Sequence, residues 1–446
     1  MNLKTKQKDT SKGTDMLKGL LLFFVPLGLY SMIMMSSHSV MNFGVSQAAN
    51  AEIGLATFAV TMNIMNTFAS PCFTSRQLLV ALAHDKKSLL VTKNIMLQIA
   101  VFSLLMLAVL AFTPIGDFVF VQLFNTPKNL MSDVKTAAVF ALALPFIYTL
   151  RSYAQGILII DKKTQYLTYT VMLRIAFMVF LAFVLPKIGS LSGATIGMII
   201  WTAGMALESV INFLFAIKSF KNLPDDSNYD LAKQDLSYKQ AFNFIWPLLV
   251  TGFIWTLGTP MINSGLGHTS NPELSLATFQ VSREYVWIIM GFLESNLRQV
   301  PLIFGTSEEK IVYLRKFTFW FGVILTIAVA VLALTPIGEW GLLHIIGVSE
   351  DIANASRPVL IVLIALPFTM AWSEYYSGLL MRLNNTKSLS IGKVINLGLT
   401  IFSVIGFSIL MPQLGATVAA IGLIIGYAAE MLFVKYVYHK SLNLLL

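Results

Sequence analysis

Ten ionisable side chains lie inside otherwise apolar stretches of this 446-residue chain: Arg76, Arg151, Arg174, Arg283 and Arg298 against Glu208, Glu284, Glu294, Glu374 and Glu430. Each costs on the order of 2.5–3.5 kcal/mol to place in hydrocarbon on insertion scales, so a functional role is the default to be weighed. Arginines in such a setting supply binding charge for an anion. A desolvated carboxylate with aromatic neighbours, such as Glu374 beside Trp372, Tyr375 and Tyr376, suits a proton or a cation. Equal numbers of the two signs also permit pairing.

An internal repeat sorts these charges. Arg76 recurs as Arg298 and Glu208 as Glu430, 222 positions on, so these four read as lobe-building ion pairs between the second and sixth spans and between the eighth and twelfth. The other reading places the two arginines at a cytoplasmic mouth. The unmatched charges are the stronger candidates for a substrate site: Arg151 aligns with Ser373, Arg283 with Thr61, Glu294 with Cys72 and Glu374 with Ser152. In a continuous eighth helix, Arg283, Glu294 and Arg298, spaced 11 and 4 apart, share one face with Gln280 and Trp287 nearby. That face is expected to line a translocation cavity, or else to pair inside the second lobe. Glu374 is either a cation or proton site or the partner of an arginine in the eighth span. Arg151, between Tyr148 and Tyr153, serves an anionic headgroup or pairs with Glu208. Arg174 has no evident partner.

Uncharged polar stripes add a quieter signal. Asn63, Thr67, Ser70, Thr74 and Gln77 follow one face of the second span, and Thr251, Trp255, Thr256, Thr259 and Asn263 one face of the seventh. Such stripes glue helices together at about 0.6–2 kcal/mol per hydrogen bond, or line water. The third, fifth, ninth and eleventh spans look nearly bare by comparison, which favours a wet seam between lobes.

The elements that position these residues follow from composition. The chain is 56% hydrophobic and 12% charged, against about 25% charged for a soluble domain. Spans of roughly 20 apolar residues are needed to cross a bilayer. Twelve are expected: 17–42, 51–83, 89–112, 135–160, 165–185, 191–217, 240–263, 273–303, 311–334, 354–382, 388–411 and 414–438. Thr113-Pro114-Ile115-Gly116-Asp117 returns as Thr335-Pro336-Ile337-Gly338-Glu339, and Ala143-Leu144-Pro145-Phe146 as Ala365-Leu366-Pro367-Phe368. Duplicated membrane halves are the architecture of alternating-access transporters. The expected fold is therefore all-α integral membrane, twelve transmembrane helices in two six-helix lobes related by a parallel repeat. The expected division is an N-terminal tail 1–16, a first lobe 17–217, a linker 218–239, a second lobe 240–438 and a C-terminal tail 439–446.

With the N-terminus inside, only Lys128, Lys135, Lys187 and Arg357 among the 31 basic residues fall on the outer side. The positive-inside rule then puts both termini in the cytoplasm of a multi-pass cell-membrane protein. The net charge of +9 is thereby topological, and no nucleic-acid partner is needed.

The segment Leu342-Leu343-His344-Ile345-Ile346-Gly347-Val348-Ser349-Glu350, running to Leu366-Pro367, resembles a recurring element of the multidrug and toxic compound extrusion (MATE) family, as does Leu123-Phe124-Asn125-Thr126-Pro127 through Leu144-Pro145. Trp246-Pro247-Leu248 and the segment 366–380 are similar to the progressive-ankylosis branch of the same multidrug/oligosaccharidyl-lipid/polysaccharide (MOP) exporter superfamily. The resemblance implies a twelve- to fourteen-helix antiporter exporting a small organic, often cationic, substrate in exchange for H+ or Na+. The first span, which carries the coupling carboxylate in many extrusion-family members, has no Asp or Glu here. That leans toward the alternative, a flippase or exporter of an anionic, phosphate-bearing or lipid-linked molecule, whereas the twelve-span length and Glu374 lean toward the organic-substrate exporter, which is the preferred reading. No metal-ligand spacing, catalytic motif or cofactor loop is present, so an enzyme is not expected; an intramembrane transferase is a remote alternative. Membrane lipids and the substrate are the expected partners, and a monomer the expected state.

Overall fold

The computed structural model describes residues 3–48, 51–119, 131–189, 191–221, 223, 236–294, 296–346 and 348–443. Most of the expected linker (222 and 224–235), the motif at 123–127 and Gly347 lie outside them. Among the described residues the chain is helical, with no strand. Six helical crossings come from the first half: α1 (Leu3–Ser46), α2 (Ala51–Leu82), α3 (Lys86–Phe112), α5 (Met131–Ala141) with α6 (Leu144–Ile160), α7 (Gln165–Val184) and α8 (Gly193–Lys221), with the short α4 (Pro114–Phe118) after α3. Six come from the second: α9 (Tyr238–Leu266), α10 (Pro272–Met290) with α11 (Gln299–Phe304), α12 (Glu308–Leu334), α14 (Glu350–Leu363) with α15 (Leu366–Arg382), α16 (Thr386–Leu410) and α17 (Thr417–Asn443), with α13 (Pro336–Trp340) after α12.

The duplication is visible at the backbone. The bounds of α3 and α12, of α4 and α13, and of α6 and α15 differ by 222 residues at both ends. The Thr-Pro-Ile-Gly turns explain one of these: a Cβ on Gly116 would lie 1.8 Å from the Leu110 carbonyl oxygen, and one on Gly338 1.7 Å from that of Leu332. Only glycine fits.

Residues cluster into two compact units, Met1–Leu249 and Val250–Leu446. In the first, α2 packs on α3, α6 and α8, and α1 on α7 and α8. Gly54 and Gly193 let α2 and α8 approach until a Cβ on Gly193 would meet the Gly54 Cα at 2.8 Å, the small-residue contact typical of membrane helices. Pro26 inside α1 removes one backbone bond. The carbonyl left without that N–H is Leu22's, which the Thr164 hydroxyl approaches at 3.5 Å while donating to the Phe23 carbonyl at 2.6 Å; Thr168 adds a bond to the Pro26 carbonyl at 2.7 Å. In the second unit α17 packs on α15 and α16, and α12 on α14 and α15. Large apolar side chains such as Phe102, Phe180, Phe402 and Leu410 are exposed, as a surface facing lipid requires.

Among the described residues, nine crossings are long and apolar enough to span a bilayer, counting α14–α15, bent by 43°, as one. The three that fall short are α2, α9 and α10, the second, seventh and eighth spans. These carry the polar residues singled out in the sequence.

α1 starts at Leu3, and its part apolar enough to cross a membrane begins at Met16. Two sequence expectations change. The eighth span is not one continuous helix: α10 ends at Met290, and residues 291–294 and 296–298 are turns. Gly291 favours the break and Pro301, without an N–H, limits renewal of the ladder. The Asn296 side-chain amide then donates to the buried Gly291 carbonyl at 2.9 Å. The single face drawn through Arg283, Glu294 and Arg298 therefore does not exist as a helix face. Finally, the fifth and eleventh spans are not bare: Arg174 and Lys393 both make ion pairs.

Candidate functional site

Each unit encloses a network of charges. In the first, Glu208 on α8 is fully buried and is the hub. Arg151 on α6 donates from Nε to its Oε1 at 2.8 Å, and Arg174 on α7 from a terminal nitrogen to its Oε2 at 2.7 Å. Gln155, one turn after Arg151, donates to Oε1 at 3.0 Å, and Asn212 adds a longer bond at 3.4 Å. Arg151 also stacks over the rings of Phe73 (5.1 Å) and Tyr30 (5.6 Å), and Arg174 over Trp201 (5.7 Å). The second terminal nitrogen of Arg174 donates to the Ser37 hydroxyl at 2.5 Å, while its buried Nε has no acceptor. Arg76 stands at the edge, half-buried, donating to Gln155 Oε1 at 2.9 Å. The direct Arg76–Glu208 pair expected from the repeat is not made. Gln155 bridges the two, and Glu208 instead holds the unassigned Arg174.

In the second unit Arg298 and Glu374 form a two-pronged pair, Nε to Oε2 at 2.6 Å and a terminal nitrogen to Oε1 at 2.5 Å. Gly378, one turn beyond Glu374, makes room: a Cβ there would stand 2.2 Å from the Arg298 carbonyl oxygen. The expected Arg298–Glu430 pair is thus replaced by Arg298–Glu374, because the broken eighth span carries Arg298 onto α15. Glu430 is held by Lys393 at 2.8 Å and by the Asn396 amide at 2.6 Å. The signal for this was in the repeat: Asn396 stands 222 residues after Arg174 and serves the equivalent glutamate.

The remaining candidates are dispersed. Glu294, half-buried in the interrupted stretch, accepts from Trp287 Nε1 at 3.0 Å and has no Lys or Arg within ion-pair distance among the described residues. Arg283, half-buried, donates to the Thr259 hydroxyl at 3.0 Å and to Gln280 at 3.3 Å. Glu284 is exposed and accepts from Gln280; an exposed carboxylate on a membrane helix requires water rather than hydrocarbon beside it. Asn63 is exposed on α2 and accepts the Thr67 hydroxyl at its carbonyl (2.8 Å), while Ser70 and Thr74 likewise bond back along their own helix. Those hydroxyls therefore do not glue α2 to a neighbour. Thr256 lies on α9, and Asn263 is exposed near its end. No cluster of metal-binding side chains occurs among the described residues.

Two six-crossing halves with charged interiors define a transporter fold, and solved structures share it along the whole chain. A MOP superfamily transporter from Pyrococcus furiosus is similar at 13% identity over 96% of this chain and 98% of its own, with a TM-score of 0.70. The eukaryotic MATE transporter AtDTX14 is similar at 12% identity over 95% and 96%, TM-score 0.74. A multidrug resistance MATE family transporter of the MOP superfamily, in an outward-facing conformation, gives 12% identity over 96% of both chains, TM-score 0.73. The fold is that of the MATE/MOP transporters. Within it, the family model of the progressive ankylosis protein (ANKH) matches residues 10–271, more than half of the sequence. The chain belongs to the progressive ankylosis protein family.

Proposed function

We propose that the protein is an alternating-access secondary transporter of the cell membrane, with cytoplasmic termini, that exports an anionic, phosphate-bearing molecule. The observation that carries this reading is the charge of the first unit's interior. Three guanidinium groups, Arg76, Arg151 and Arg174, surround the single carboxylate Glu208, an excess of two positive charges. Unbalanced charge in a low-dielectric interior is unfavourable, and a bound anion offsets it. The second unit weighs against a cationic substrate at Glu374, since that carboxylate is fully engaged by Arg298. The related archaeal MOP transporter is described by a binding pocket of reverse polarity that suggests a different function, so this fold is not tied to one sign of substrate. Lysine-rich turns at Lys86-Lys87 and Lys162-Lys163 support the orientation.

Coupling to H+ or Na+ belongs, on this reading, to Glu294, a carboxylate with an indole partner in a stretch of irregular backbone. A second reading, export of organic cations, has the exposed Glu284 in its favour.

The test is flux in proteoliposomes under imposed Na+ or pH gradients. Radiolabelled phosphate, pyrophosphate and tetraphenylphosphonium would be compared. Gradient-stimulated movement of a phosphate species is the expected result. Movement of the organic cation alone would overturn the anion assignment and leave the transporter reading intact.

A further inference from the structure

Arg76 and Arg298 hold equivalent positions in the two halves, yet their partners differ in charge. Arg298 is gripped at two points by Glu374. The residue equivalent to Glu374 is Ser152, whose hydroxyl is turned to the Cys72 carbonyl at 2.9 Å. Arg76 meets a neutral amide instead, and the bond to Gln155 engages only one of its terminal nitrogens. The rest of the guanidinium, which carries five N–H donors in all, has no partner among the described residues. Arg76 is also half-buried, whereas Glu374 is 2% exposed. Gln155 is itself buried and tied to Glu208 and to the Tyr30 hydroxyl (3.0 Å), so the amide fixes the arginine in place without neutralising it.

We propose that Arg76 is the charge-selecting residue of the substrate site, its open guanidinium edge taking the oxygens of the anion at the position a glutamate fills in the second half. This rests on the anion reading above. The Ser152 hydroxyl reaches the Cys72 carbonyl, one turn before Arg76 on α2, and Gly156 packs on Leu79 as Gly378 packs on the equivalent Pro301, so a carboxylate at position 152 falls within reach of Arg76. The two halves are then one scaffold with opposite settings: closed by an internal carboxylate in the second, open to an external one in the first.

The experiment is pyrophosphate flux and pyrophosphate-induced thermal stabilisation of the full-length protein in four variants. Ser152→Glu supplies the missing carboxylate, and flux falls at least about tenfold, since like charges placed together in such a site cost several kcal/mol. Ser152→Gln fills the same space without the charge, and retains more flux and stabilisation than Ser152→Glu. Arg76→Gln loses both but unfolds near the wild-type temperature; Arg298→Gln instead lowers the unfolding temperature. Wild-type flux in Ser152→Glu, or loss in Ser152→Gln equal to that in Ser152→Glu, would overturn the assignment of Arg76 alone. A wild-type protein that moves no anion would overturn the anion reading and this assignment with it.

Discussion

Lys162 and Asn384, 222 residues apart, hold the same left-handed backbone conformation, with φ of 58° and 57°. Each closes the turn after a helix that carries a buried, ion-paired charge of its unit, Arg151 on α6 or Glu374 on α15. Around them Lys163 N–H donates to the Leu158 carbonyl at 2.8 Å and Asn385 N–H to that of Leu380 at 2.9 Å, the long bond that seals a helix end. Asparagine tolerates this conformation; lysine is held in it at a cost of roughly 1–2 kcal/mol. Lys162→Asn is therefore expected to raise the unfolding temperature in detergent, and Asn384→Lys to lower it. Equal and opposite shifts would show that the two turns are energetically equivalent.

Removing the hub of the first unit has a different signature. Glu208→Gln leaves Arg151 and Arg174 buried without a counter-charge, a loss on the order of 3–5 kcal/mol. Differential scanning fluorimetry should show a large drop in unfolding temperature for Glu208→Gln. A small drop would mean that water already compensates these arginines.

Gly378→Ala tests the contact between α15 and the break. The added methyl meets the Arg298 carbonyl and Pro301, and overpacking of this kind costs about 1–3 kcal/mol. It also displaces Arg298 from Glu374, so Gly378→Ala and Glu374→Gln combined should be less damaging than the sum of the two. Strict additivity would dissociate the glycine from the ion pair.

Asn296→Ala strips the donor from the Gly291 carbonyl. An unsatisfied buried acceptor costs about 1–3 kcal/mol, and hydrogen exchange should accelerate over 291–298 first. Exchange that is unchanged there would mean the interruption is held by other contacts.

Glu294→Gln should remove the dependence of transport on the Na+ or pH gradient while leaving substrate exchange across the membrane measurable. Retained gradient dependence would move coupling to another group.

Much of the architecture was legible because it is written twice. The Thr-Pro-Ile-Gly turns and the Ala-Leu-Pro-Phe starts fix helix ends by backbone chemistry that is local, and both copies carry it. The charge pairing was not legible in the same way. Arg174 and Glu208 lie on adjacent helices, and their contact depends on which faces of α7 and α8 meet, a tertiary fact with no sequence spacing. Lys393 is not among the ten charges singled out from the sequence, yet it lies inside α16 and reaches Glu430 from there. The break in the eighth span was signalled by Gly291 and Pro301, but the apolar run across it hid the signal. The hydroxyls of Thr67, Ser70 and Thr74 bond to the preceding turn of their own helix, which spacing cannot tell from a bond to a neighbour.

The interrupted eighth crossing has a mechanical consequence. α10 packs on α14 and α12, whereas α11 packs on α15 and α12, and Arg298 at the end of the break is clamped to α15. The crossing is thus two rods moored to different piers, with Glu294 on the slack between them. Twisting one rod need not turn the other, and that carboxylate sits at the joint, where the helical ladder gives way to the tighter turn bonds of Phe292, Leu293 and Asn296.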